Sequence, residues 1–120
     1  MPTSGRGTMV RLFLGPSDTY RDQPLARAVL ERAAGEGMLM AGVFRAESGY
    51  GASRQLRTWV SGDVPPDFPL VIEMLGLPED AQRLIAALDR MLADGLVATE
   101  AVEIWATSGR GSGPCPGPRG

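Results

Sequence analysis

Arg45, Arg54 and Arg57 surround a run rich in glycine and hydroxyl groups, Ser48-Gly49-Tyr50-Gly51-Ala52-Ser53. Guanidinium groups grip phosphate or carboxylate bidentately, and glycine lets backbone N–H groups approach a ligand closely. N–H groups around Gly49 and Gly51 suit an anion-binding nest. The chemistry implied is capture of an anionic small molecule. Gly15, Ser17 and Asp18, just after an apolar alternating segment, are the other residues expected to line such a cleft.

Bond-making chemistry has little to work with. The chain has no histidine, which removes imidazole acid–base catalysis, Ser-His-Asp triads and imidazole metal sites. Cys115 is the only cysteine and has no partner in its own chain, which fits a reducing cytoplasm. No nucleophile–base pair can be assembled, so the chain reads as a non-enzyme without cofactor or catalytic residues. A net charge of -2 predicts no strong pull towards nucleic acid or an anionic membrane. No apolar run approaches the roughly 20 residues needed to span a bilayer, and Met1 to Thr8 lacks the apolar core of a signal peptide. The expectation is a cytoplasmic protein without direct membrane insertion.

These residues need a scaffold, and the hydrophobic pattern supplies one. Met9 to Leu14 alternates and reads as a strand, with Gly15-Pro16 turning the chain. Asp22 or Ser17 suits a helix cap and Pro24 a first helical turn. Leu25, Ala28, Val29 and Ala33 then recur at helical spacing, and Gly35 and Gly37 end that helix. Leu39 to Arg45 is a second strand, and Ala46 to Asp67 a long connection. Phe68 to Leu75 is a third strand. Pro78 opens a second helix with an apolar stripe of Ala81, Leu84, Ile85, Leu88, Met91 and Leu92. Gly95 closes it, and Ala101 to Ala106 is the last strand. Two β-α-β halves with right-handed crossovers predict an α+β, ferredoxin-like β-α-β-β-α-β sandwich. Its antiparallel sheet has the order 4-1-3-2, with two helices on one face. The domain is expected over residues 9–106. Residues 1–8 and 107–120 lack periodicity and read as disordered, the latter as a Gly/Pro-rich tail.

One face of the sheet reads as purely aliphatic: Val10, Leu12 and Leu14; Leu70, Ile72 and Met74; Val102 and Ile104. That face belongs under the helices. The other is expected to carry Phe13, Val71, Leu75 and Trp105 with Arg11, Glu73 and Glu103. With the first strand between the third and fourth, Arg11 is expected between Glu73 and Glu103. A face so apolar predicts burial against further copies of the chain, with Arg11, Phe13, Glu73, Glu103 and Trp105 as interface residues.

Ser48 to Ala52 (SGYGA) resembles an RNA-recognition signature, but that signature belongs on the third strand. Here the third strand, FPLVIEML, offers no stacking platform. No nucleic-acid partner is expected.

The order of several motifs resembles the PII-like proteins of the DUF190 family, relatives of the PII nitrogen-regulatory signalling proteins. The motifs are Leu14-Gly15-Pro16-Ser17-Asp18 with Tyr20 and Pro24-Leu25, then Val43-Phe44-Arg45, and Gly49-Tyr50-Gly51-Ala52-Ser53. Asp67-Phe68-Pro69-Leu70-Val71-Ile72-Glu73 and Gly95-Leu96-Val97 extend the likeness from about Val10 to Trp105. It implies a homotrimer whose sheets face a central core. It also implies a flexible loop after the second strand that docks on a transporter, channel or enzyme, and small-ligand clefts between subunits near that loop. An adenine nucleotide is the first expectation for the ligand. Ala46 and Met40 stand where glycines are usual in the family, and Arg57 where a histidine is common, which makes the loop root stiffer and more cationic. The alternatives are a divalent-ion-tolerance protein of the CutA type, using oxygen ligands such as Glu47, Asp63 and Asp67, or a structural oligomer without a ligand.

Overall fold

The structure is a computed structural model, and it describes residues 3–15, 18–50, 54, 56–58, 69–93 and 95–107. Strand β1 runs Thr3–Leu14, followed by two short strands, β2 (Thr19–Tyr20) and β3 (Gln23–Pro24), and helix α1 (Leu25–Gly35). Strand β4 (Met40–Arg45) leads to the short β5 (Ser48–Gly49) and β6 (Arg57–Thr58). Then come β7 (Leu70–Gly76), α2 (Pro78–Met91) and β8 (Leu96–Ala106). The four long strands form one sheet in the order β4-β7-β1-β8, and every neighbouring pair is antiparallel. This is the expected ferredoxin-like order.

Alternation along β1 and β7 builds the core. Val10, Leu12, Ile72 and Met74 are completely buried and meet Val29 of α1 and Leu84 and Leu88 of α2. Each such side chain contributes roughly 1.5–3 kcal/mol on full burial. Small residues, Ala28 and Ala33 in α1 and Ala81 and Ala87 in α2, let the helices lie close to the sheet and to each other.

The helix ends follow simple rules, with one exception. Helix α2 starts with Pro78, whose missing N–H costs nothing there, and Glu79 and Asp80 favour its positive N-terminal end. Helix α1 stops at Gly37, which has φ +86, while the N–H groups of Gly37 and Met38 donate to the carbonyls of Ala34 and Ala33 at 3.1 Å. This paired closure needs left-handed backbone at one residue. Gly37 supplies it, and Gly35 is still helical. At the other end of α1 no side chain caps the helix. Neither Asp22 nor any described neighbour takes that role, Ser17 lies outside the described residues, and Pro24 sits before the helix in extended backbone. The Asp18 carbonyl accepts the Leu25 N–H instead, at 2.8 Å.

Three boundaries differ from the sequence expectation. β1 begins at Thr3, so Thr3 to Thr8 belong to the sheet instead of a disordered end. β8 begins at Leu96, well before Ala101. The two extensions pair with each other, Thr3 opposite Ala106 and Phe13 opposite Leu96. Gly5 and Gly7 hide this strand from a propensity reading, since glycine weakens a strand on its own. Gly7 has a packing reason to be there: the Ile104 side chain occupies the space a Cβ would need. The third difference is the β2–β3 pair, a tight hairpin turned by Arg21 (φ 48) and Asp22 (φ 65). Such a turn usually signals itself with Asn-Gly.

Replacing Leu12 by Ala is expected to cost about 2–5 kcal/mol of unfolding free energy, measured by chemical denaturation. Gly37→Ala is expected to cost about 1–2 kcal/mol by the same measurement, because it places a Cβ in left-handed backbone.

Candidate functional site

Two parts of the sheet carry unassigned chemistry: its uncovered face and one of its rims. Strand pairing decides which residues share a face. Arg11 stands opposite Glu73 on β7 and opposite Ala98 on β8, with Met9 opposite Glu100. The Arg11 Nε donates to Glu73 at 3.0 Å and its Nη1 to Glu100, also at 3.0 Å. The carboxylate–guanidinium–carboxylate row expected from sequence therefore exists, but its second acid is Glu100. Hydrogen bonding from Glu73 first and Glu100 second holds the Arg11 guanidinium above its ordinary range.

Glu103 lies opposite Arg6, and Trp105 opposite Ser4. Side chains alternate strictly between faces, so both point to the helix side of the sheet, away from Arg11. There Trp105 donates its indole N–H to Glu103 at 2.8 Å and remains 57% exposed. The same alternation moves Val102 and Ile104 to the open face. The correction has one cause. The register of β8 is set by backbone pairing along its whole length, and a shift of one residue reverses every side chain. Composition favoured a different parity. The signal for Glu100 was the unbroken run Leu96-Val97-Ala98-Thr99, which continues the strand N-terminally.

The open face is apolar at its flanks. Phe13 is 40% exposed, Phe44 55%, Met40 68% and Leu96 72%. Val71 and Leu75 lie between them, half-buried. Nothing in the chain's described residues covers this side.

The rim forms where β1 and β4 end and β7 begins. Leu14 pairs with Leu70, and Leu70 with Arg45. Two strand spacings, roughly 10 Å, therefore separate the backbone of Arg45 from that of Leu14. Gly15 follows at once. Its N–H donates to the Asp18 carboxylate at 3.2 Å, so that carboxylate braces the turn after β1. Beyond Arg45, the Ala46 N–H donates to the Pro69 carbonyl at 3.2 Å, and Gly49 packs against Pro69, where a Cβ would come within 3.2 Å of the ring. β5 and β6 then pair as a ribbon, Ser48 opposite Thr58 and Gly49 opposite Arg57, with the two hydroxyls 3.3 Å apart. Arg54 is exposed and has left-handed backbone, φ 59. Of the residues named from sequence, Gly15, Asp18, Arg45 and Gly49 thus lie along one rim. Ser17, Gly51, Ser53 and the Arg57 side chain lie outside the described residues, as do Asp63, Asp67 and residues 108–120. Among the described residues no cluster of acids and thiols suits a metal ion, and no helix is long and apolar enough to cross a membrane.

A four-stranded antiparallel sheet in the order β4-β7-β1-β8 with two helices on one face defines the ferredoxin-like class of fold. Residues 7–104 match the DUF190 family, described as Uncharacterized ACR. The chain belongs to that family. The UPF0166 protein of Aquifex aeolicus is 28% identical over 96 residues, covering 80% of this chain and 90% of that one. Among solved structures, the apo form of CPII, a nitrogen regulatory PII-like protein from Thiomonas intermedia K12, superposes with a TM-score of 0.61 at 9% identity, over 89% of this chain and 100% of that one. CPII bound to ADP, AMP and bicarbonate gives 0.59 at 10% identity, over 85% and 91%. A putative PII-like signaling protein from Thermus thermophilus gives 0.57 at 13%, over 88% and 94%.

The register makes a direct demand on energetics. A double-mutant cycle between Arg11 and Glu100 is expected to show coupling in urea unfolding, whereas an Arg11–Glu103 cycle is expected to be additive.

Proposed function

We propose that this protein is a PII-like signalling subunit. It assembles through its open sheet face and binds an anionic small molecule, an adenine nucleotide first of all, at the rim bearing Gly15 and Arg45. The observation that carries this reading is the meeting of Arg45, Gly15 and the β5–β6 root at one end of a sheet whose uncovered face is apolar. Covering that face with copies of itself, as a homotrimer, brings the rims of neighbouring subunits together and makes clefts between them. Arg45, Arg54 and Arg57 supply positive charge to a phosphate group, and backbone N–H groups around Gly49 and Gly51 supply neutral donors. Asp18 borders the cleft and acts mainly on backbone. The structure of CPII with ADP and AMP supports the nucleotide as ligand class.

In this reading the role is binding, without catalysis. Ligand occupancy is passed through the 46–67 connection to a partner transporter, channel or enzyme in the cytoplasm. Interface residues are Arg11, Phe13 and Glu73, joined by Glu100, Met40 and Phe44. Glu103 and Trp105 lie on the other side of the sheet and act in assembly only if a neighbour reaches around its edge.

Native mass spectrometry of protein purified without added ligand reads stoichiometry and retained small molecules together. A trimer is expected, and a monomer at micromolar concentration refutes the assembly. Phe13→Ala is expected to shift the population towards monomer, while Leu12, its neighbour, tests the core alone. ADP or ATP at 100 times its dissociation constant is expected to stabilise the fold by about 2.7 kcal/mol, seen as a rise in Tm. Arg45→Ala is expected to remove that rise. No response to ATP, ADP, AMP or cyclic dinucleotides, with stabilisation by divalent ions instead, refutes the nucleotide reading.

A further inference from the structure

An open groove of about 550 Å³ lies on the helix layer, bordered by the β2–β3 hairpin, α1 and the last turns of α2. It shares no lining residue with the rim. Three arginines line it, Arg21 from the hairpin, Arg32 from α1 and Arg90 from α2, against one carboxylate, Glu31. Glu31 is already engaged by Gln23 and Arg27, each at 3.5 Å. Arg32 is matched by Glu36 at 3.0 Å. Among the described residues the other two guanidinium groups have no carboxylate. Arg21 lies over the Tyr20 ring, 5.1 Å from its centre. The position of Arg90 is favourable at a helix C-terminus whether or not a ligand binds. Among the described residues Arg21 has only the Tyr20 ring as a local partner, and it holds a left-handed φ of 48 in a two-residue turn that suits asparagine or glycine far better.

Concavity and floor point the same way. Ala28 and Ala87 are buried small residues that deepen the groove between the helices, and Met91 and the Tyr20 ring give it apolar sides. The volume falls in the range of small-molecule sites, and the lining is more polar than most of them, with Arg21, Gln23, Glu31, Arg32 and Arg90 around four less polar residues. Walls carrying one sign of charge concentrate a counter-ion, and a phosphate accepts from two guanidinium forks at once.

We propose that this groove is a second ligand site, which takes a small organic phosphate: the phosphate between Arg21 and Arg90, the organic part against Tyr20 and Met91. It is independent of the rim and of what the rim binds.

The test is a titration of ¹⁵N-labelled full-length protein with phenyl phosphate and with AMP, followed by amide chemical shifts, with phenol as the uncharged control. Saturable shifts are expected at Tyr20, Arg21, Ala28, Ala87 and Met91 with either phosphate. The Arg21→Ala/Arg90→Ala double variant is expected to weaken them at least 10-fold, and Arg90→Lys to weaken them less. Both arginines are exposed, so these variants keep the core, and circular dichroism checks it. Arg45→Ala is expected to leave the groove shifts unchanged while removing any response at the rim, which separates the two sites. Absence of groove shifts with both phosphates, unchanged affinity in the double variant, or equal shifts from phenol would each overturn the proposal.

Discussion

Strand β1 is hydrogen-bonded on both sides, to β7 and to β8, and its alternation is the constraint from which the rest of the molecule follows. Val10 and Leu12 must lie under the helices, because no other surface hides them. Once they do, Met9, Arg11 and Phe13 are committed to the opposite side, since a strand has only two faces. Antiparallel pairing then carries that division across the sheet. Glu73 on β7 and Glu100 on β8 come within reach of one guanidinium. The end of β1 also sets the rim, for Gly15 follows directly and its turn is braced by Asp18.

The open face combines two demands that rarely coexist on a solvated surface. Its flanks are large and apolar, and its centre is ionic. Exposed, the ion pairs of Arg11 add little stability. Covered by protein, each charge needs compensation, and removing one member of a buried pair leaves the others stranded at high cost. An arginine placed between two acids meets that condition within one subunit, before any neighbour arrives. The same row disfavours covers that do not fit its charges, which is how polar groups in an apolar interface select a partner.

Arginine concentrates in two further places, and their settings differ. At the rim it accompanies glycines and a paired ribbon at the root of a long connection, a setting in which backbone donors are available. In the helix-layer groove two of the three arginines stand on helices and the third on a tight hairpin turn, around small buried residues. Rigid elements hold a site more precisely than loops do, whereas loops report occupancy to partners more readily. The rim arises where β1 and β4 end and β7 begins, the groove from the β2–β3 hairpin, α1 and α2.

Much of the fold was legible from residues alone. The alternation of Val10, Leu12 and Leu14, the helical spacing of Leu84 and Leu88, the stop at Gly37 and the start at Pro78 are local patterns. Each reports its own secondary structure through period or backbone freedom. Arg11 facing Glu73 was legible too, because β1 and β7 both show their alternation clearly. Partner choice on β8 was not. Thr3 to Thr8 resembles a polar tail until β8 pairs with it, and only that long pairing sets the parity that turns Glu100 towards Arg11 and Trp105 away. The hairpin at Arg21 and Asp22 was hidden for a similar reason, since its residues contradict the turn they make. Sequence by itself determined the two helices and the central stretches of the four long strands, because period and propensity act within a few residues. Tertiary structure alone decided which side of the sheet β8 shows and which arginines share a groove, because register and packing join residues that no local pattern connects.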